Sequence, residues 1–230
     1  FDITFSGASG AQETAWTTSW GTSTRMLGGL IMCHGDDDGL RVPPHLAPIQ
    51  AHVMVVKDGE GVMEAAAKVR DALRGAGVRV GFDDRVDTPF GRRAVDAELK
   101  GYPVRVEIGP RDLAEGHVTL ARRVPGTKET CGLDEVAARV AVALEADQKA
   151  LYDEALAMRE SRTVEVKTVD EAIEASATGW ARVPWSAVGV EGEAKANAAT
   201  VSVRCLVRPD GTVPDSDDEP GMIALMGRSY

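Results

Sequence analysis

Cysteine is scarce in this chain of 230 residues: there are three, Cys33, Cys131 and Cys205, and no two form a CxxC pair. That argues against a disulfide framework and for a reducing, cytoplasmic compartment. No apolar run approaches the ~18 residues of a membrane span, and no basic-then-apolar leader opens the chain. The four histidines (34, 45, 52 and 117) are dispersed, and no Ser/His/Asp constellation can be defended. No GxxxxGK[ST] loop is present, and DGEG at Asp58–Gly61 is too short for the glycine-rich turn of a nucleotide-binding regulator. The apolar content of 43% is ordinary for a globular protein.

Positive charge is also in short supply. The net charge is −10, divided as −3 over residues 1–48, −1 over 49–150 and −6 over 151–230. The nearly balanced middle third can still present a local basic face, so an RNA partner is neither required nor excluded by charge.

Pattern divides the chain into three. Residues 1–5 alternate as a strand, Gly7–Gly10 turns, and Glu13–Trp20 reads as the returning strand. Prolines at 43, 44 and 48 then mark a connector. Beyond it come a strand at Ile49–Val56, an amphipathic helix at Val62–Gly75, a strand at Val78–Phe82 and a helix at Arg92–Lys100. Strands at Val104–Ile108 and Val118–Arg122 precede a long helix from Asp134 to about Arg159. This β-α-β-α-β-β-α order implies an α/β domain, a mixed sheet with helices on its faces. After about Arg162 the pattern shortens. Thr168–Thr178 reads as a capped helix, and Gly179–Trp185, Val201–Val207 and residues 223–230 read as strands.

The most distinctive stretch is TTSWGTSTRMLGGLIMCHGDDDGLRVPP, Thr17–Pro44. Small residues lead to Arg25, and the run Gly28–Cys33 reads as a buried helix or strand. A guanidinium suits forked contact with phosphate, although Arg25 taken alone can equally cap a helix or join a surface ion pair. His34, Asp36, Asp37 and Asp38 lack the spacing of a calcium loop and read as a solvated turn with one capping aspartate. WTTSWGTSTR (16–25), GGLIM (28–32), HGDDDGL (34–40) and PPHLAPIQ (43–50) resemble motif three of class II aminoacyl-tRNA synthetases, as found in prolyl-tRNA synthetases of the archaeal/eukaryotic type. The resemblance implies that Arg25 holds the ATP γ-phosphate as a catalytic residue, with Ser23 and Thr24 lining the nucleotide. It also makes the opening hairpin a piece of an antiparallel catalytic sheet.

Two further strings extend the resemblance. FDDR (Phe82–Arg85) and ELKGYPVRVEIGPRDL (Glu98–Leu113) are similar to segments that face the anticodon in the domain shared by prolyl-, threonyl-, histidyl- and glycyl-tRNA synthetases. This chain departs from the family at TPFGRR (Thr88–Arg93), where a PGWK-like turn is usual. Gly91 is kept, Phe90 replaces the proline, Arg92 the aromatic and Arg93 the lysine. Proline anticodons end in two guanines, which call for cations toward O6 and N7 and a carboxylate toward the amino group. The candidates are Arg85, Arg93 and Lys100 with Glu98; Arg93 and Lys100, seven apart, are expected on one helix face, with Glu98 off it. Arg105 and Arg111 are weaker candidates, and Glu107 is expected to pair with one of them. Each of these can also be an ordinary surface charge.

The resemblance implies three divisions: residues 1–45 as part of the catalytic domain, 46–150 as the anticodon-binding domain, and 151–230 as a small C-terminal α+β domain. Many relatives bind zinc in the last through four cysteines. Here only Cys205 remains, so no zinc and no other metal site is expected, and Cys205 reads as a buried apolar residue. A docked C-terminal Tyr230 is an even alternative to a loose tail. The chain begins with Phe1 rather than Met and is expected to be a piece of a longer one. Motifs one and two would lie upstream, so the chain alone is expected not to aminoacylate. The complete protein would be a homodimer that activates L-proline with ATP and Mg2+ and charges proline tRNA, with no membrane or DNA partner. The alternative is a non-catalytic RNA-binding or regulatory module derived from such a domain.

Overall fold

The computed structural model describes residues 2–216 and 219–229, which places Tyr230 outside the described residues. Contacts divide the chain into two compact units, 1–147 and 148–230. The first unit opens with a hairpin of β1 (Thr4–Ser6) and β2 (Gln12–Thr14), followed by helix α1 (Arg25–His34). The returning strand is shorter than its sequence pattern: residues 15–23 form no strand.

Then come β3 (Ala51–Val55), α2 (Val62–Gly75), β4 (Val80–Asp83), α3 (Phe90–Leu99), β5 (Val104–Ile108), α4 (Pro110–Ala114), β6 (His117–Arg122) and β7 (Lys128–Gly132). The strands form one sheet in the order β4-β3-β5-β6-β7; β3 is parallel to β4 and β5, and the remaining pairs are antiparallel. This is the mixed sheet read from the sequence, with α4 and β7 added. Helix α5 (Val136–Ser161) runs through the boundary between the units.

Alternation gives this sheet two different faces. Ala51, Val53 and Val55 of β3 and Val104, Val106 and Ile108 of β5 join Val62, Ala66, Val69 and Leu73 of α2 and Val136, Val140 and Leu144 of α5 in one apolar core. The intervening residues, His52, Met54, Arg105 and Glu107, face the other way, toward α3: the Arg105 guanidinium donates to Ala94 O at 3.3 Å.

The acidic turn is held rather than merely solvated. Asp36 accepts from Asp38 N at 3.0 Å, the expected cap, but it also pairs with the buried Arg123 and with Arg41. The Arg123 hydrogen bond keeps the Asp36 carboxyl below the usual carboxylate range. The turn lies against the end of α3, where Leu40 N donates to Leu99 O at 3.0 Å. Gly39, at φ +123°, permits that approach, since a Cβ would sit 2.6 Å from Leu99 Cα.

The second unit contains β8 (Thr163–Glu165), α6 (Val169–Ala175), β9 (Trp180–Pro184), α7 (Trp185–Ala198), β10 (Val201–Val207) and β11 (Ile223–Arg228). Its sheet order is β10-β11-β9-β8, with only β8 and β9 parallel. Thr168 starts α6 with a capping box to Glu171. Val169, Ala172, Val188 and Ala196 of the helices pack on Ala181, Val183, Ala224 and Met226 of the sheet. Helix α7 and β8 carried no legible sequence signal. Cys205 is exposed, contrary to its buried reading, because an irregularity in β10 between Val203 and Cys205 shifts the register there.

Candidate nucleic-acid interface

The sequence candidates fall on the carboxyl ends of the parallel strands and on α3. Asp83 ends β4, 4% exposed, and Arg85 follows two residues later with its side chain 60% exposed. The Arg85 guanidinium donates to both Asp83 oxygens at 3.1 and 2.8 Å, and Arg85 N adds a third bond at 3.1 Å. The Arg85 side-chain hydrogen bond is the chief reason that the Asp83 carboxyl titrates low, at about 2, against the opposing effect of burial.

Arg93 behaves differently from its reading as an exposed cation. It is 2% exposed, and its guanidinium donates to Val55 O at 2.8 Å and Thr88 O at 3.0 Å while lying 3.3 Å from Asp83. Lys100 is exposed and bonds Asp96 at 2.7 Å, so Arg93 and Lys100 share no accessible face. The reason is local. Pro89 caps α3 and the helix starts at Phe90, which turns position 93 toward the ends of β3 and β4. Arg93 thus locks α3 to the strand ends and lies 5.7 Å from the Phe90 ring centroid.

Glu98 is half-buried, 3.7 Å from Arg105. Glu107 is buried and pairs with Arg105, as read, and with Lys128 at 2.9 Å, but not with Arg111. Beside this group, half-buried His52 packs its ring 4.7 Å from that of Tyr102. Burial pushes the imidazole down to about 4, the nearby Asp83 opposing and Lys100 and Arg85 reinforcing. The exposed cations on this side are therefore Arg85 and Lys100, with Glu98 half-buried near them and Arg92 exposed at the start of α3. Sequence reasoning missed Asp83 as the organising carboxylate. Its signal was present in FDDR, since an acid at a strand end and an arginine two residues on point to the same side.

Ser23, Thr24 and Arg25 lie at the start of α1, and all three are exposed. Ser23 Oγ accepts from Arg25 N at 3.4 Å, and no carboxylate among the described residues pairs with Arg25. The run Gly28–Cys33 is helical but not buried. Met26, Leu27, Ile31 and Met32 are 66%, 63%, 49% and 76% exposed, because no element among the described residues covers α1. Among the described residues no group of three or more His, Cys, Asp or Glu could hold a metal ion. No helix among them is long and apolar enough to cross a membrane.

Residues 50–143 match the anticodon binding domain family. The chain is 52% identical to proline–tRNA ligase 2 of Streptomyces avermitilis and 55% identical to the proline–tRNA ligase of Frankia alni, in each case over 100% of the chain and 49% of the relative. A solved prolyl-tRNA synthetase from Cryptosporidium parvum, complexed with L-proline and AMP, matches with a TM-score of 0.82 at 28% identity. That match covers 99% of this chain and 51% of the other. The chain spans about half the length of the curated relatives it matches. By sequence along its whole length and by fold, the chain is similar to a portion of the prolyl-tRNA synthetases.

Proposed function

We propose that this chain supplies the motif-three and tRNA-reading portion of a proline–tRNA ligase, divided at residues 1–45, 46–150 and 151–230. Arg85 and Lys100 meet the anticodon guanines and Glu98 their amino groups. Arg93 acts as a positioning residue: through Asp83 it fixes the strand end from which Arg85 projects. The observation that carries the reading is this triad, in which one buried carboxylate orients an exposed arginine, inside a domain matched to anticodon binding.

In the complete enzyme Arg25 contacts an ATP phosphate, with Ser23 and Thr24 beside the nucleotide. Its exposure without a carboxylate partner fits an anion, and no described residue is assigned to the accompanying Mg2+. The exposed apolar residues of α1 are the surface on which the rest of the catalytic domain packs. The complete enzyme is a cytoplasmic homodimer acting on L-proline, ATP and proline tRNA, and this portion alone does not aminoacylate.

The test is binding to proline tRNA against the same tRNA with either anticodon guanine replaced, at fixed salt. Each replacement should cost about 1–3 kcal/mol. Equal affinity for all three RNAs would overturn the anticodon assignment and leave a binding module of another kind.

A further inference from the structure

The second unit has little basic charge, and most of it lies together. Residues 151–230 hold eight lysines and arginines, of which five, Arg159, Arg162, Arg182, Arg204 and Arg228, line two cavities of about 900 and 580 Å3. Trp180 and Arg204 line both, so the cavities form one groove. The smaller cavity lies on the sheet face that α6 and α7 leave uncovered, and the larger opens at the end of the sheet, beside Ser176 at the close of α6 and Arg228 at the close of β11. Ala181 and Val183 of β9 point into the core, so Trp180 and Arg182 point away from it.

Among the described residues, the larger cavity has no carboxylate in its lining. Among the described residues, the ion pairs of this unit employ Lys149, Arg182, Lys195 and Arg208, and leave Arg162, Arg204 and Arg228 without an acidic partner. Three guanidiniums converging without a counter-charge suit an anion, and arginine suits phosphate in particular. A second observation points to a ligand. Ser176 is 2% exposed, lines the cavity beside Thr178, and its hydroxyl has no hydrogen-bond partner among the described residues. A buried hydroxyl is costly when unpaired, and a phosphate oxygen would satisfy it.

Trp180 adds an aromatic platform. Its register partner is Gly227, where a Cβ would come within 3.0 Å of the indole. Glycine lets the ring lie flat on the strand, and the indole remains 40% exposed. A flat, half-exposed indole beside cations is the arrangement on which unpaired bases stack.

We propose that this groove binds a nucleotide unit, its phosphate held by Arg162, Arg204 and Arg228 with Ser176 and Thr178, and its base stacked on Trp180. The same chemistry is offered by a free nucleoside monophosphate and by an unpaired nucleotide of an RNA strand. The groove is built by the second unit, whereas the anticodon candidates and Arg25 belong to the first.

The experiment is fluorescence anisotropy of a short labelled oligoadenylate, which contains no guanine, at fixed salt, with AMP and inorganic phosphate as competitors. Trp180→Leu should weaken binding about tenfold. Arg162→Gln and Arg228→Gln should each weaken it several-fold and flatten its salt dependence. The exposed Arg74→Gln should leave it unchanged. Displacement by AMP identifies a free nucleotide as sufficient, and displacement by unlabelled oligoadenylate alone identifies the RNA strand; both uphold the site. Phosphate competing as well as AMP overturns the base-stacking half. Unchanged affinity in Arg228→Gln and in a Trp180→Leu variant folded by circular dichroism overturns the whole.

Discussion

The two mixed sheets each bury one face under helices, and they differ in what the other face carries. In the first unit that face holds His52, Met54, Arg105 and Glu107 beneath α3; Arg105 and Glu107 pair with each other and with Glu98 and Lys128, and Arg93 pairs with Asp83 beside them. In the second unit the corresponding face carries Trp180, and Arg162, Arg204 and Arg228 gather beside it around one cavity, with no acidic partners among the described residues. A charge that a fold covers must be paired, whereas a charge left unpaired stays where solvent or a ligand can reach it. The first arrangement builds a rigid platform, and the second leaves binding capacity uncommitted.

The sharpest way to break this contrast is to remove one arginine from each face. Arg93→Ala deletes a buried guanidinium and leaves Val55 O, Thr88 O and part of Asp83 unsatisfied, so urea unfolding should show a loss of about 3–5 kcal/mol. Arg228→Ala should change stability by no more than about 0.5 kcal/mol. Similar losses at the two positions would show that Arg93 is not the lock between α3 and the strand ends.

Acid should act next on the closed face. The His52 pKa is held at about 4, below its ordinary 6.5, mainly by burial. The unfolded chain therefore takes up the proton first. Stability is complete above about pH 6.5 and is lost as pH falls to about 4, by at most about 3 kcal/mol. Urea titrations from pH 7 to 4 should show a steeper decline for the native chain than for His52→Gln. Parallel curves would mean that His52 is hydrated in the folded state.

The same substitution at two glycines gives a smaller contrast. At Gly81 an added Cβ would lie 2.5 Å from His52 Nδ1 and 3.0 Å from Ile49 side-chain atoms, all three residues half-buried. At Gly227 it would lie 3.0 Å from a half-exposed indole that has room to move. Gly81→Ala should cost about 2 kcal/mol and Gly227→Ala under about 1 kcal/mol. Near-ultraviolet circular dichroism should change only for the latter, as Trp180 leaves the sheet.

Strand and helix periodicity made most of this architecture legible. Val62–Gly75, Val104–Ile108 and Val201–Val207 have the bounds that their patterns predict. Helix α7 escaped because its glycines and alanines give little amphipathic signal, and a non-helical Gly189 interrupts it. The candidate site was legible in residue type but not in direction. Nothing in TPFGRR shows that Arg93 turns inward while Arg92 stays out, because that depends on where α3 begins. The groove of the second unit was not legible, since its arginines are scattered from position 159 to 228 and only the sheet gathers them.

The smallest stability effect is expected at Lys100, and it separates a held charge from an available one. Its ion pair with Asp96 is an i,i+4 pair with both side chains about half exposed, so Lys100→Ala should change the unfolding free energy by less than about 0.5 kcal/mol. A lysine ammonium is charged throughout the neutral range, and the hydrogen bond to Asp96 raises its pKa further, so the charge is present whenever RNA approaches. If Lys100 meets the tRNA through a phosphate, the variant should weaken binding similarly for every anticodon sequence and lower the salt slope by about one ion. If it meets a guanine edge, the loss should be confined to tRNAs that keep that guanine, with a smaller change in salt slope. An unchanged affinity in both measurements would assign Lys100 to the surface of α3 alone. Arg85, oriented by a buried carboxylate, would then remain as the cation of that face best placed to read a base.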